Sequence, residues 1–185
     1  MGRIVVTEFV SLDGVMEDPG GAEDFKYGGW TFEFPGEDRY KYKLDETMES
    51  DGLLLGRKTY EGFAEAWPQR DGEFADKFNT MPKYVVSSTL EDPEWTNSRV
   101  LKGDLVKEVS KLRDEQEGEI LVHGSAQLVQ ALLEHGLVDE LRLMVFPVVL
   151  GSGRRLFGDS GKRPLKLADS KTVGDGVAIL VYEPA

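Results

Sequence analysis

The stretch LLLGRKTYEGF, residues 53–63, passes from an apolar run through one glycine into two adjacent cations and a threonine. The apolar run predicts a buried β-strand, and the residues after Gly56 predict a short helix that reaches about Ala66. Such a helix begins with unpaired backbone N–H groups, and its dipole attracts anions there. Arg57 and Thr59 add a planar cation and a hydroxyl, which is typical of a phosphate site. A glycine that only interrupts the strand, followed by solvated cations, is the alternative at this point.

Two further strand ends have the same character. ILVHGSAQLV, residues 120–129, runs from a strand into Gly124 and then into Ser125 at a helix start, and YVVSSTL, residues 84–90, ends a third strand on two serines and a threonine. Ligands of open α/β sheets bind at the carboxyl ends of strands, and two helix N-termini at one crevice suit a diphosphate. The three strand ends together favour a nucleotide site.

The rest of the chain alternates strand and helix patterns. Residues 3–10 predict a strand, Glu37 to Glu49 a helix, and residues 101–151 the order helix, strand, helix, strand. The tail predicts two strands joined by the hairpin turn VGDG, residues 173–176. We therefore expect an α/β fold of one domain over residues 1–185, in three layers, with a mixed, mostly parallel sheet, helices on both faces and a C-terminal antiparallel hairpin.

Composition excludes several classes of function. The chain has 185 residues, a net charge of -12 and no cysteine. The negative charge argues against nucleic acid, and the lack of cysteine removes disulfides, thiol nucleophiles and thiolate metal sites. With neither an apolar leader nor an uncharged apolar run of about 18 residues, we expect a cytoplasmic protein that does not enter membranes. His123 and His135 lack metal-ligand spacing, so we expect no metal.

Two further segments bear on a site. MEDPGGAEDFKYGGW, residues 16–30, is long for an irregular loop and follows the turn VSLDG, so it is a candidate cover. Asp13 of that turn has an alternative role as a turn residue before Gly14. The run LRLMVFPVVL, residues 141–150, is more apolar than one half-buried strand requires, which indicates either a dimer through late strands or a strand buried on both faces.

Four segments in fixed order carry a family resemblance. They are LLLGRKTYE, VVSST, HGSAQLVQALLEHGLVDELRL and FPVVLGSGRRLF. Together they resemble the dihydrofolate-reductase-like superfamily, and most nearly the C-terminal reductase domain of the riboflavin-biosynthesis deaminase-reductase and its small stand-alone bacterial relatives. The likeness runs from VSLDGV to the final strand. It implies a mixed sheet of eight or more strands, a homodimer, and NADPH bound in an extended pose.

The resemblance also implies which residues bind the cofactor. The Gly-Arg-x-Thr helix start would hold phosphates, the serines after the next strand would lie by the adenosine ribose and its 2′-phosphate, and the later strand-helix turn would hold the diphosphate, often with a cis peptide. The residues expected there are Val10, Gly56, Arg57, Lys58, Thr59, Ser87, Ser88, Thr89, His123, Gly124, Ser125, Ala126, Gln127 and Leu128. The turn departs from the paired glycines of folate reductases at His123 and Ser125.

The substrate side is less defined. The resemblance implies a small-molecule substrate, heteroaromatic or carbonyl-containing, like 5-amino-6-(5-phosphoribosylamino)uracil, with Asp13, Trp30 and Arg154 as candidate contacts. No residue is selected as the catalytic group, and the candidates are Asp13, Asp38 and Tyr40. Dihydrofolate reductase activity is one alternative, and a nucleotide-binding module without chemistry is another.

Overall fold

A computed structural model of the chain describes residues 1–159 and 161–185. Its centre is an eight-stranded sheet in the order β4-β3-β2-β5-β1-β6-β8-β7. The strands are β1 (Arg3–Ser11), β2 (Gly52–Gly56), β3 (Lys83–Val86), β4 (Ser98–Leu101), β5 (Glu119–Val122), β6 (Glu140–Phe146), β7 (Leu165–Val173) and β8 (Val177–Pro184). The first six strands pair in parallel, and β8 joins β6 and β7 antiparallel. The predicted mixed sheet with a C-terminal hairpin is confirmed.

Helices cover both faces of the sheet. They are α1 (Glu37–Glu49), α2 (Arg57–Ala66), α3 (Glu73–Thr80), α4 (Leu105–Glu115) and α5 (Ala126–Glu134). Val5 and Leu55 pack with Tyr60 of α2 and Phe78 of α3 on one face. The alternate strand residues pack with α4 and α5 on the other face. This alternation is the reason that the central strands read as continuous apolar runs.

Two features differ from the sequence expectation. β4 was not predicted, because SRVL is short, only partly buried and lies at the sheet edge. The apolar run of residues 141–150 is explained by β6, which lies between β1 and β8 and has both Leu143 and Met144 buried. Burial on both faces accounts for the run as far as Phe146, whereas Val149 beyond the strand is 66% exposed, so the dimer stays a prediction.

The sheet brings the predicted strand ends together. β1, β2, β3 and β5 are parallel, so their carboxyl ends lie at one edge. Val122 pairs with both Leu54 and Val6, and the register continued by two residues places Gly56, Gly124 and Glu8 side by side. No helix within the described ranges combines the length and the apolar character that a bilayer span demands.

Candidate nucleotide site at two helix N-termini

The starts of α2 and α5 touch each other. A Cβ atom on Gly56 would lie 2.5 Å from Ser125 Oγ, and a Cβ on Gly124 would lie 2.6 Å from Thr59 Oγ1. Both distances are shorter than side chains allow, so the two glycines are what permits the approach. Gly124 also has a φ of +64°, a left-handed conformation that glycine adopts without strain. The two helix N-termini thus form one wall of a single crevice.

The crevice is an open cleft of about 570 Å³. Its lining is Gly56, Arg57, Lys58, Glu61, Val86, Leu105, Ser125, Gln127, Leu128 and Ala131. Neither helix has an acidic residue in its first turn, and no side chain caps α2. At α5 the Ser125 hydroxyl accepts from the Leu128 amide at 3.3 Å. The uncapped N-terminus of α2 leaves backbone N–H groups available for an anion.

Arg57 connects the crevice with the loop after β3. Its Nε donates to Glu61 at 2.8 Å, and its Nη1 donates to the Thr89 hydroxyl. The Ser87 hydroxyl accepts from the amides of Thr89 and Leu90 at 3.2 and 3.0 Å. The predicted helix start and the predicted polar loop are therefore neighbours, as a nucleotide that spans both would require.

Not every predicted cofactor residue lies in the crevice. The Val10 side chain is buried in the core, and Ser88 is exposed on the loop surface. The His123 ring packs against Phe63 and Phe78, with centroids 6.2 and 5.5 Å away. Burial, with a further contribution from nearby Lys43, lowers the pKa of His123 to about 3, so the ring is neutral. Its Nε2 atom has no hydrogen-bond partner among the described residues.

The turn at residues 123–125 contains no cis peptide bond, nor does the rest of the described chain. Ser125 carries the unusual geometry instead, with a φ of +56°. A left-handed serine is uncommon, and here it is also the N-cap residue of α5. The unusual backbone geometry of this turn therefore lies at Ser125.

Asp13 connects two loops at the end of β1. Its Oδ1 accepts from the Ser11 hydroxyl at 2.6 Å and from the Leu150 amide at 3.1 Å, and its Oδ2 accepts from the Gly151 amide at 2.9 Å. These bonds, that of Ser11 first, lower the pKa of Asp13 to about 2. Arg155 donates to the Asp13 carbonyl at 2.7 Å. The carboxylate is thus ionised and holds the VSLDG turn against residues 150–151.

The loop of residues 16–30 is organised by its own contacts. Asp18 is 2% exposed and accepts from the amides of Glu23 and Phe25 at 3.0 and 3.2 Å. Glu23 in turn lies 3.9 Å from the ammonium of Lys58, at the start of α2. The loop therefore reaches the edge of the crevice, as expected for a cover.

The substrate candidates are more dispersed. Trp30 is buried, donates from Nε1 to the Glu17 carbonyl at 2.9 Å and packs on Phe146, so it anchors the loop. Arg154 lies 3.6 Å from the Glu17 carboxylate. Asp38 and Tyr40, both exposed, line a second concavity of about 650 Å³. The structure does not bring these two residues to the α2–α5 crevice.

Sequence reasoning missed a buried polar group beside the crevice. Glu8 is 6% exposed, and its Oε2 accepts from the Gly124 amide at 3.1 Å. On the opposite face of β1, Lys43 donates to Thr7 Oγ1 at 2.7 Å and to Glu46 at 2.6 Å. Glu8 follows the inward positions of Ile4 and Val6, so alternation along β1 was the available signal.

Comparison with known proteins identifies the family of the chain. The family model described as RibD C-terminal domain matches residues 3–179. The uncharacterized protein YyaP of Bacillus subtilis (strain 168) is 30% identical over an alignment of 186 positions, gaps included, which covers 97% of this chain and 94% of YyaP.

Solved structures share the fold. A candidate riboflavin biosynthesis protein from Shewanella sp. PV-4 superposes with a TM-score of 0.78 at 24% identity over 99% of both chains. The diaminohydroxyphosphoribosylaminopyrimidine deaminase/5-amino-6-(5-phosphoribosylamino)uracil reductase of Thermotoga maritima superposes with a TM-score of 0.66 at 15% identity, over 100% of this chain and 57% of that one. With the model match over nearly all of its length, the chain belongs to the RibD C-terminal domain family.

Proposed function

We propose that the protein is an NADPH-dependent reductase that transfers a hydride to a small heteroaromatic or carbonyl-containing molecule. The reductase-like fold and the family support an oxidoreductase. The cofactor and the substrate class are our inference. The observation that carries the proposal is the contact between the N-termini of α2 and α5, through Gly56 with Ser125 and Gly124 with Thr59.

The crevice fits the diphosphate of a dinucleotide. Helix N-termini attract anions through their unpaired N–H groups and dipoles, and a side chain at Gly56 would fill the space where the helices meet. Arg57 offers a planar guanidinium at the same opening, which suits phosphate oxygens. In a protein of net charge -12, the adjacent cations Arg57 and Lys58 at this opening favour a specific anion site, and a phosphate there would compete with Glu61 for Arg57.

Preference for NADPH over NADH follows from the loop after β3. Arg57 already donates to Thr89 there, and the Ser87 hydroxyl lies 3.4 Å from the Thr89 hydroxyl. A 2′-phosphate at this loop would exchange the neutral hydroxyl partner of Arg57 for an anionic one, which strengthens the hydrogen bond. NADH lacks that phosphate and would not gain this contact.

The cofactor would supply the hydride, and the protein would bind, orient and exclude water. Asp13 keeps the VSLDG turn fixed against residues 150–151, beside the end of β1. The loop of residues 16–30 would cover the nicotinamide ring of the cofactor. The ion pair of Glu23 and Lys58 would connect this loop to the crevice that binds the diphosphate. The substrate would then meet the cofactor at the carboxyl end of β1.

Calorimetric titration with NADPH and, separately, NADH tests the proposal. We expect NADPH to bind more tightly than NADH, and Arg57→Ala to weaken NADPH binding by about 10- to 100-fold, which corresponds to about 1.5–3 kcal/mol for a charged hydrogen bond. Arg70→Ala is the matched control, since Arg70 is exposed and its guanidinium stacks on Trp67, at 4.5 Å. Equal affinity of the wild-type protein and the Arg57 variant would remove Arg57 from the site.

A second measurement separates an enzyme from a binding module. Oxidation of bound NADPH is followed at its absorbance maximum with pterins, dihydrofolate, pyrimidines and quinoid carbonyls as acceptors. Turnover with one acceptor class would identify the reductase reaction. Tight binding of NADPH without turnover on any acceptor would favour the nucleotide-binding module, and no binding of either nucleotide would overturn the proposal.

A further inference from the structure

Glu8 lies in line with Gly124 and Gly56, the two glycines at which the helix starts of the nucleotide crevice meet. The parallel register sets it beside Gly124 of the α5 turn, and Gly124 lies beside Gly56 of the α2 start. Its carboxyl group accepts the Gly124 amide at 3.1 Å. The next residue, Ser125, is the N-cap of α5. The Glu8 carboxyl group is therefore hydrogen-bonded to the residue just before the N-terminus of α5, where we propose that the diphosphate binds.

The hydrogen bonds of Glu8 are incomplete. Oε2 has the Gly124 amide, while Oε1 is inaccessible and has no partner among the described residues. A buried carboxylate normally needs several donors or a cation in contact, because desolvation otherwise disfavours its charge. One amide bond supplies only part of this requirement. The neutral acid is the form that this environment tolerates.

The charged groups around Glu8 do not reverse this preference. Lys43 and Glu46 both lie on α1. Lys43 lowers the pKa of Glu8 and Glu46 raises it, and the two form an ion pair with each other at 2.6 Å. His123, from the end of β5, is neutral. The residue of β6 that pairs with Glu8 is Leu143, which is apolar. Burial is the largest influence and raises the pKa of Glu8 to about 8.

We propose that Glu8 is a proton-linked positioning residue of the nucleotide site, which holds the Gly124 turn as a neutral acid and opposes a bound diphosphate when it ionises. The inference rests on the proposed function, because it requires an anion at the crevice. An ionised Glu8 would repel the diphosphate, because burial of the carboxylate leaves its charge poorly screened by water. Binding of a diphosphate therefore favours the protonated form of Glu8, and ionisation of Glu8 weakens binding.

The measurable consequence is a loss of nucleotide affinity at alkaline pH. Affinity changes little near pH 7, falls about twofold by pH 8 and then towards tenfold for each further pH unit, so that the loss reaches about 30-fold at pH 9.5 if the bound form stays protonated. The window begins at pH 7 because the second ionisation of a phosphate monoester, with a pKa near 6, is nearly complete there. NADH shares the diphosphate with NADPH, so its affinity should fall by the same factor.

Calorimetric titrations of the full chain at pH 7.0 and 9.5 test the inference, with Glu8→Gln as the neutral analogue of the acid. We expect the variant to bind NADPH at pH 7.0 as the wild-type protein does, and to lose less than threefold at pH 9.5. Glu117→Gln, an exposed carboxylate before β5, is the matched control and should keep the wild-type loss. A wild-type affinity that is unchanged at pH 9.5, or an equal fall in both Glu8 forms, would overturn the inference.

Proton uptake gives a second readout that needs no variant. Titration of the wild-type protein with NADPH at pH 8.0 in two buffers of different ionisation enthalpy should reveal uptake of about half a proton per site, and uptake near zero would contradict the inference. The two failures are distinguishable. Absence of nucleotide binding at pH 7.0 would overturn the proposed function together with this inference, whereas binding without pH dependence or proton uptake would overturn the role of Glu8 alone.

Discussion

A single methyl group at position 56 should separate the two helix starts. In Gly56→Ala the new Cβ would lie 2.5 Å from Ser125 Oγ and 2.8 Å from Ser125 Cβ, so α5 or α2 must move. We expect a loss of about 1–3 kcal/mol in the free energy of unfolding, as for other overpacked sites, and weaker nucleotide binding. Urea denaturation measures the first and calorimetry the second.

Two further variants establish the cause. Adding Ser125→Gly to the alanine variant removes both contacting atoms and should restore stability, whereas Ser125→Ala keeps the Cβ and should not. Gly62→Ala lies in the same helix but meets no atom within 4 Å, so it should stabilise the protein by about 0.5–1 kcal/mol. Destabilisation by both alanine variants to the same extent would contradict the steric explanation.

Residue patterns predicted the charged and hydroxyl groups of the site better than its buried ones. The placement of Arg57 beside Thr89 was accessible, since glycine, cation and hydroxyl have distinct local meanings at a strand end. Glu8 was not recognised, because a single acid in a strand is usually exposed; its alternation with Ile4 and Val6 indicates an inward position, and the bond from the Gly124 amide confirms it. The sequence pattern likewise could not show that both carboxylate oxygens of Asp13 accept hydrogen bonds from the loop at residues 150–151.

Among the secondary structure elements, helices were predicted more accurately than edge strands. α1 begins at Glu37 and ends at Glu49 as predicted, and the β2–α2 junction falls at Gly56. Periodicity and glycine positions are local signals, so these bounds follow from sequence. β4 forms only because β3 offers a parallel partner, and that pairing has no local signature.

The connection between the VSLDG turn and residues 150–151 should depend on the charge of Asp13. In Asp13→Asn, one carboxylate oxygen is replaced by a donor, so the bonds from Leu150 and Gly151 cannot both persist. We expect faster hydrogen exchange across residues 147–153, measured by mass spectrometry, with unchanged helix α4. Asp175→Asn, in the exposed hairpin turn, is the control and should leave that segment at the wild-type rate. Unchanged exchange in the Asp13 variant would show that the carboxylate is not needed there.

The stability of the whole molecule should depend on pH through two buried groups with opposite signs. Folding raises the pKa of Glu8 from 4.5 to about 8, so the folded chain holds a proton that the unfolded chain releases, and stability falls as pH rises through this range. Folding lowers the pKa of His123 from 6.5 to about 3, so stability there rises with pH. The two effects oppose each other between about pH 4.5 and 6.5.

Above pH 6.5 the opposing effect of His123 fades, and the effect of Glu8 on the free energy of unfolding dominates. We expect the wild-type protein to lose about 1.5 kcal/mol of unfolding free energy between pH 6.5 and 8, because the slope of 1.36 kcal/mol for each pH unit falls to half as the pH reaches the pKa of Glu8. Glu8→Gln should lose almost none in the same interval. Urea denaturation at pH 5.5, 6.5 and 8.0 provides the test, and parallel stability curves for the two proteins would show that Glu8 does not titrate in this range.

The homodimer stays a prediction from the family resemblance.

The contact between Gly56 and Ser125 also has a consequence for folding kinetics. It joins the β2–α2 unit to the β5–α5 unit, which are distant along the chain and meet only through the assembled sheet. Closing such a long loop is entropically costly, so the contact should form late on the folding pathway. A nucleotide held between the two units would therefore slow unfolding, and would leave the rate of folding nearly unchanged.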